Sequence, residues 1–160
     1  MSMSDRICVM AEGNIRQIGS PSDIYERPQN RFVADFMGRS NLLDASLRGS
    51  ENGHTMVDVG ELVLRSSQQG GPSSGDAVVM IRPERIVMQR AGGGNRTVNG
   101  TVESAVYLGS VMHYEVALSS GQTLQVTSQI EADYARQHFD KDEPVEILIP
   151  PEAVYILTEA

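Results

Sequence analysis

Two patterns of hydrophobic and polar positions divide the chain near Gly38. Before that glycine, short apolar runs are interrupted by turn residues and by Pro21 and Pro28. After it, many short segments alternate between apolar and polar positions, as strands with one buried face do. The patterns therefore predict a mixed first segment, residues 1–39, and a β-rich remainder, residues 40–160.

The first segment opens with a predicted β-hairpin. The apolar run Arg6–Glu12 indicates a strand, and Gly13-Asn14 is a turn pair that favours a tight connection to a second strand. Cys8 lies within the first of these strands. We therefore expect a buried, unreactive thiol at this position rather than a nucleophile.

Two short helices are predicted after the hairpin. Ser20 caps the first, Pro21–Glu26, since serine suits the N-cap and proline the first helical position. The second begins near Asn30 and ends at Gly38. Four apolar residues form one stripe on this second helix: Phe32, Val33, Phe36 and Met37. We expect the stripe to pack on the β-rich part or on a second chain, because an uncovered stripe favours aggregation.

Ten strands are predicted in the remainder, separated by turns rich in glycine and serine. They are Asn41–Leu47, Thr55–Val59, Glu61–Arg65, Asp76–Ile81, Ile86–Gln89, Thr97–Val106, His113–Leu118, Thr123–Val126, Pro144–Ile149 and Ala153–Leu157. The breaks between them include Gly49–Gly53, Ser66–Gly75, Ala91–Asn95 and a tight turn at Ser119-Ser120-Gly121. Glu131–His138 has the composition of a short helix. Many short strands at this spacing predict a mainly β fold, a small barrel or sandwich.

The charge balance excludes some partners. Thirteen basic and 21 acidic residues give a net charge of −8. Residues 1–40 are balanced, with five arginines and five acids, so the whole excess falls in 41–160. A domain this acidic repels phosphate, which argues against binding nucleic acid or anionic lipid. The single cysteine rules out an internal disulfide and fits a cytosolic protein.

No catalytic or metal motif is evident in the sequence. The phosphate-binding pattern GxxxxGK[ST] is absent, and the only lysine is Lys141. The three histidines, His54, His113 and His138, are far apart and lack the spacing of metal ligands. The acids at 140, 142, 143 and 146 lack the ligand pattern of a calcium loop, so a solvated acidic edge is expected. We therefore predict no catalytic, cofactor-binding or metal-binding residues in this chain.

The first segment carries a dense motif that resembles a known family. Over Ser4–Asn41 the chain follows the pattern SDRI-x-VM-x-x-G-x-I-x-Q-x-G-x-P-x-x-IY-x-x-P-x-x-x-FVA-x-F-x-G-x-x-N. This pattern resembles the tail of the nucleotide-binding domain in ABC importer ATPases of the polyamine, ferric-iron and sugar type. The resemblance implies that residues 1–39 end such a domain, and that its ATP-binding motifs lie before Met1.

The remainder resembles the accessory domain of the same subunits, called TOBE, an OB-like β-barrel. Three short elements carry the resemblance: Ile81–Glu84 (IRPE), Thr101–Gly109 with its YLG end, and Pro150–Leu157. The resemblance implies that residues 40–160 are an OB-like TOBE domain with regulatory and dimerisation roles. It implies a second copy of the chain and the transporter's membrane subunits as partners, at the inner face of the cell membrane. ATP and magnesium would belong to the full-length subunit, not to this fragment.

Five residues are candidates for an interface or regulatory site: Arg82, Glu84, Tyr107, Phe32 and Phe36. Arg82 and Glu84 fit a domain or subunit interface, or the lining of a solute pocket. They fit a strand end with a surface ion pair equally well. An alternative function for the whole β-rich part is a small-ligand or oxyanion-sensing OB-like domain, which the acidic balance disfavours.

Overall fold

The computed structural model describes residues 4–92, 98–130 and 138–157, which form three antiparallel sheets and two short helices. The described elements are β1 Ile7–Ala11, β2 Asn14–Gly19, α1 Pro21–Glu26, α2 Arg31–Phe36, β3 Asn41–Glu51, β4 His54–Val59, β5 Leu62–Ser66, β6 Ser74–Ile81, β7 Val87–Arg90, β8 Val98–Tyr107, β9 Val111–Leu118, β10 Thr123–Gln129, β11 Pro144–Leu148 and β12 Val154–Ile156. Single 3-10 turns at Pro83–Arg85 and Pro151–Ala153 precede β7 and β12.

Two five-stranded sheets form what we call the β-body, residues 41–157. Their strand orders are β12-β6-β3-β4-β5 and β10-β9-β8-β11-β7. Side chains from both sheets meet in one large apolar core, in which Tyr114, Ile81, Leu124, Ile147 and Ile156 are the largest fully buried members. The core is closed because alternate residues of each strand point inward, as in the exposed-buried alternation of β5 and β9.

Side-chain amides extend the pairing at two sheet edges. Asn41 donates to the carbonyl of Gln125 on β10 at 2.9 Å and accepts from the same residue's N–H at 2.7 Å. Gln68 makes the same two-point contact with Ile156 on β12, at 3.1 and 2.7 Å. Each amide occupies backbone groups that would otherwise be open at an edge strand.

The predicted strands are confirmed within the described residues, although the limits of most of them differ by one to four residues. The largest difference is at β3. Gly49–Gly53 was predicted as a break, but β3 continues to Glu51 and only Asn52-Gly53 turns. Both turn residues have positive φ, 51° and 79°, which is the geometry of a type I′ hairpin turn. The Ala91–Asn95 loop lies outside the described residues from residue 93 onward, as does the predicted helix at Glu131–His138 up to residue 137.

We call residues 4–40 the N-terminal segment. Its hairpin and both helices are confirmed, and the Ser20 side chain accepts from the N–H of Asp23 at the start of α1. One face of the hairpin and the inner faces of the helices enclose a small cluster of Val9, Ile24 and Val33. Gln17 is buried beside this cluster and satisfies backbone groups of the connection between the helices.

Two predictions for the N-terminal segment are wrong. Cys8 is exposed rather than buried, because its neighbour Val9 points to the covered face of the hairpin and Cys8 points to the open one. The predicted single stripe on α2 is split in the same way. Val33 is buried, whereas Phe32 and Phe36 stack on each other at the surface, 6.0 Å between ring centroids.

One prediction for the β-body is also wrong. The carboxylate of Glu146 was expected on a solvated acidic edge, but Glu146 is buried within β11. Its two carboxylate oxygens accept from the side chain of Gln89 and from the N–H of Gly92, both at 3.0 Å. Burial of this acid is tolerated because donors from β7 and from the residues just after it satisfy the carboxylate.

Candidate functional site at the junction of the two regions

Strand β6 joins the two regions because both of its faces are buried at its end. Val79 and Ile81 point into the core of the β-body. Val78 and Met80 point to the opposite face, where they pack with Ala34 of α2 in a second apolar cluster. Leu42, Tyr155 and Leu157 complete that cluster. The N-terminal segment is therefore seated on the outer face of the β12-β6-β3 part of its sheet.

Arg82 follows β6 directly and is the central polar residue of this junction. Its side chain is 4% exposed. One terminal nitrogen donates to the carbonyl of Tyr25 at 2.6 Å. The other donates to the Ser40 hydroxyl at 2.5 Å and, with longer distances of 3.4 Å, to the carbonyls of Ala34 and Arg39. A single guanidinium thus holds the end of α1, α2 and the start of β3.

The Tyr25 side chain lies against the same arginine. The Arg82 guanidinium carbon lies 4.1 Å from the centroid of the Tyr25 ring, a cation–π contact. The Tyr25 hydroxyl donates to a carboxylate oxygen of Glu84 at 2.6 Å. Arg82 therefore contacts the backbone carbonyl and the ring of Tyr25, and Glu84 accepts a hydrogen bond from the hydroxyl of the same residue.

A third residue of the same motif also contacts α1. Arg85 pairs with Glu26 at 3.2 Å, with both side chains more than half exposed. Pro83 is buried and begins the 3-10 turn that directs Glu84 and Arg85 back toward α1. At the far side of the junction, Arg31 of α2 pairs with Asp44 of β3. The exposed pairs add little stability, so the buried arginine dominates the contact.

The junction perturbs two ionisable groups. Burial raises the pKa of Tyr25 above its usual value, and the hydrogen bond to Glu84 raises it further. Burial lowers the pKa of Arg82, while the neighbouring Tyr25 and Glu84 offset part of that change. Arg82 nevertheless stays charged at neutral pH, because an arginine begins from a pKa above 12. The junction is therefore a cation held by carbonyls, a hydroxyl and an aromatic ring.

The other candidate residues lie away from this junction's polar centre. Tyr107 ends β8 and is exposed together with Val106 and Leu108. Phe32 and Phe36 lie on the open side of α2. The structure brings Arg82 and Glu84 together around Tyr25, whereas the three aromatic candidates are exposed, two on α2 and one at the end of β8.

Sequence reasoning missed Tyr25, Ala34 and Ser40 as partners of the arginine. The apolar run Ala77–Ile81 contained the signal. It lacks the alternation seen in β4 and β5, and an unbroken apolar run indicates a strand covered on both faces. A cover for the outer face of β6 was therefore predictable, although which residues supply it was not.

The described residues contain neither a cluster of metal ligands nor a membrane-spanning helix. Among the described residues, no group of three or more His, Cys, Asp or Glu side chains is arranged to hold a metal ion. His113 instead contacts the Thr127 hydroxyl at 2.8 Å. Within those same residues, the helices are too short and too polar to cross a bilayer.

Comparison with known proteins agrees with this architecture. Residues 79–157 match the TOBE domain family, a range that begins within β6 and includes the whole Arg82–Arg85 motif. The chain is 38% identical to the spermidine/putrescine import ATP-binding protein PotA of Mesorhizobium japonicum, over 99% of this chain and 43% of that protein. It is 38% identical to the Fe(3+) ions import ATP-binding protein FbpC of Brucella abortus, over 82% of this chain and 36% of that protein.

A solved structure supports the fold. The cytoplasmic molybdate-binding protein ModG, in a molybdate-bound form, superimposes with a TM-score of 0.59 over 74% of this chain and 95% of that one. The sequences are 16% identical, so the likeness concerns the fold alone. The OB-like, mainly β architecture is thereby confirmed.

These findings define the class of protein: the β-body carries a TOBE domain. The chain is part of the family of ABC importer ATP-binding subunits to which the PotA and FbpC proteins belong. It spans about two fifths of the length of those relatives.

Proposed function

We propose that the β-body of this chain is the regulatory part of an ABC importer's ATP-binding subunit, and that the Arg82 junction attaches it to the N-terminal segment, which ends the part that binds nucleotide. The observation that carries the proposal is the direction of the Arg82–Arg85 motif. Arg82, Glu84 and Arg85 all leave the TOBE region and contact α1. A rigid contact of this kind would transmit movement of α1 and α2 to the β-body, and the reverse.

The open face of the hairpin supports a larger neighbour in the same polypeptide. Cys8 pairs across the hairpin with Ile18, and Met10 with Ile15, so all four share one face. That face is exposed. In a complete folded protein, an apolar sheet face is normally covered by other parts of the structure. Because the relatives are more than twice as long as this chain, we infer that another part of the longer subunit covers it.

The chemistry of the longer subunit is also part of the proposal. ATP and magnesium would be bound by residues outside this chain, which supplies no phosphate-binding motif of its own. We expect no ATP hydrolysis and no magnesium-dependent thermal shift with ATP for the 160-residue chain. A clear shift would contradict the assignment.

The proposed partners follow from the same role. A second copy of the chain would contact the exposed Val106-Tyr107-Leu108 turn, keeping two subunits together while their nucleotide-binding parts separate. Membrane subunits of a transporter would bind the longer protein, at the inner face of the cell membrane. Light scattering tests the first point. Tyr107→Ser should lower a dimer fraction, and a monomer at all concentrations would contradict the dimerisation role.

Coupling between the β-body and the nucleotide-binding part is tested in the longer subunit, assembled with its transporter. We expect Arg82→Met to reduce uptake of the transported solute while ATP hydrolysis by the isolated subunit continues. Arg48→Gln is the matched control, because Arg48 pairs with Asp58 on another part of the sheet. Normal uptake in Arg82→Met, with the junction shown to be open by hydrogen exchange, would contradict the coupling role.

A further inference from the structure

A groove on the β-body lies where its two sheets diverge, away from the junction. One wall is β5, the edge strand of its sheet. The opposite wall is formed by the first residue of β8, the end of β11 and the 3-10 turn before β12. The cavity has a volume of about 410 Å³, which is sufficient for a small molecule.

Most of the residues that line the groove have apolar side chains, and Arg65 and Glu152 are the two charged ones. Val63 and Leu64 come from β5, whereas Val98, Leu148, Ile149 and Pro150 come from the other side. Leu64 is buried and forms the floor, while Val63 is half exposed although it is a large aliphatic residue. An apolar group placed on these side chains would displace water from them favourably.

Two opposite charges flank this apolar lining. Arg65 belongs to β5 and Glu152 to the facing 3-10 turn, and both line the groove. Both are exposed, and neither makes an ion pair with any other residue of 4–92, 98–130 and 138–157. A cation on one wall and an anion on the other complement a ligand that carries both charges.

We propose that this groove binds a small zwitterion with an apolar body, of the size of an aliphatic amino acid or dipeptide. The ligand's carboxylate pairs with Arg65 and its ammonium group with Glu152, while its side chains lie on Leu64 and Ile149. The site is independent of the junction and of the proposed transport role. Its volume falls within the usual range for small-molecule sites, about 300–1,000 Å³.

Ligand analogues provide the first test, because they require no change to the protein. Leucine and leucyl-leucine are titrated into the 160-residue chain by calorimetry, with chemical shifts of groove residues as the second readout. We expect saturable binding of at least one of the two. Leucyl-leucine amide, which lacks the carboxylate, and acetyl-leucyl-leucine, which lacks the ammonium group, should each bind about fivefold more weakly.

Variants of the protein then test which residue pairs with each charged group of the ligand. Arg65→Gln should weaken the binding of leucyl-leucine about fivefold. The same change should leave the affinity for leucyl-leucine amide unaltered, because that ligand has no carboxylate to pair with Arg65. Glu152→Gln should weaken leucyl-leucine similarly and leave acetyl-leucyl-leucine unchanged. Arg16→Gln and Glu51→Gln carry the same charge changes outside the groove and should have no effect.

Three results would overturn the proposal. The first is the absence of saturable binding of both leucine and leucyl-leucine at millimolar concentration. The second is equal affinity for the zwitterion and its two capped forms, which would show that the charges play no part. The third is chemical-shift change confined to residues outside the groove. A failure of this kind leaves the transport role intact, because that role rests on the Arg82 junction.

Discussion

The N-terminal segment and the β-body have opposite relations between their apolar residues and solvent. The β-body encloses its large side chains between two sheets, and Ile147, Val102 and Val116 have no measurable exposure. The segment buries a small cluster around Ile24 and, against β6, Ala34, and it leaves Phe36 and Ile15 mostly exposed. The β-body can therefore stabilise itself, whereas the segment depends on the surfaces that it contacts.

This difference explains the importance of the junction. Six-residue helices and a two-stranded hairpin are marginal on their own in water. Packing of Ala34 on β6 and the hydrogen bonds of Arg82 supply what the segment lacks. We expect the segment to open locally without unfolding the β-body, in the manner of a low-stability cooperative unit.

The largest expected effect comes from removing a core side chain of the β-body. Ile147→Ala should lower the free energy of unfolding by about 2–5 kcal/mol, because it deletes a fully buried side chain and leaves a cavity. The measurement is chemical denaturation followed by far-ultraviolet circular dichroism. Val63→Ala, at a half-exposed site on β5, is the control and should change the same quantity by much less.

The matching change in the segment sharpens the comparison. Ile24→Ala also deletes a fully buried side chain, but within the small cluster of the N-terminal segment. We expect faster hydrogen exchange in α1, α2 and the hairpin, with the denaturation midpoint of the β-body unchanged. A loss of global stability as large as that of Ile147→Ala would show that the two regions unfold as one unit.

The Arg82 junction should give the next largest effect. Arg82→Met retains part of the side-chain packing but leaves the carbonyl of Tyr25 without its donor, which costs about 1–3 kcal/mol. Amide exchange in α1 and α2 should accelerate, while exchange in β8 and β9 stays the same.

Arg82→Lys separates charge from geometry. Lysine keeps the positive charge but lacks the planar group whose two ends reach both Tyr25 and Ser40. We expect exchange rates in α1 close to those of Arg82→Met. Rates equal to those of the unchanged protein would mean that charge alone holds the segment.

Most of the fold was predictable because strands, turns and caps are encoded locally. Ser20-Pro21 predicted the start of α1 to the residue, and Asn52-Gly53 contained the turn chemistry that the structure uses. The sequence did not predict which face of an element is buried. The periodicity of α2 groups Phe32 with Val33, but which half is covered depends on neighbours that are distant in sequence.

The junction was only partly predictable for the same reason. Arg82 and Glu84 stood out as a charged pair next to a proline, yet they do not pair with each other. Their partner Tyr25 lies 57 residues before Arg82 in the chain, and no local pattern connects them. The burial of Glu146 was not predictable for the same reason. Its donors, Gln89 and Gly92, lie more than 50 residues earlier in the chain, on β7 and just after it.

Alkaline pH should produce a smaller effect on the junction. The pKa of Tyr25 is raised in the folded protein, so its contribution to stability is complete below the unfolded value of about 10 and is lost as pH rises through the folded value. In an ultraviolet absorbance titration, the tyrosine component that disappears in Tyr25→Phe should have its midpoint above pH 10. A midpoint at or below that value would show that neither burial nor the hydrogen bond to Glu84 raises the pKa of Tyr25.

The smallest effect on stability should come from the exposed ring pair. Phe32→Ser with Phe36→Ser removes two stacked side chains that belong to none of the three apolar clusters. The free energy of unfolding should therefore change by less than about 1 kcal/mol. Self-association measured by light scattering should decrease, because the two substitutions remove apolar side chains that are exposed to solvent. A large loss of stability would mean that the rings support the segment, and the contrast between a self-sufficient β-body and a dependent segment would then need another basis.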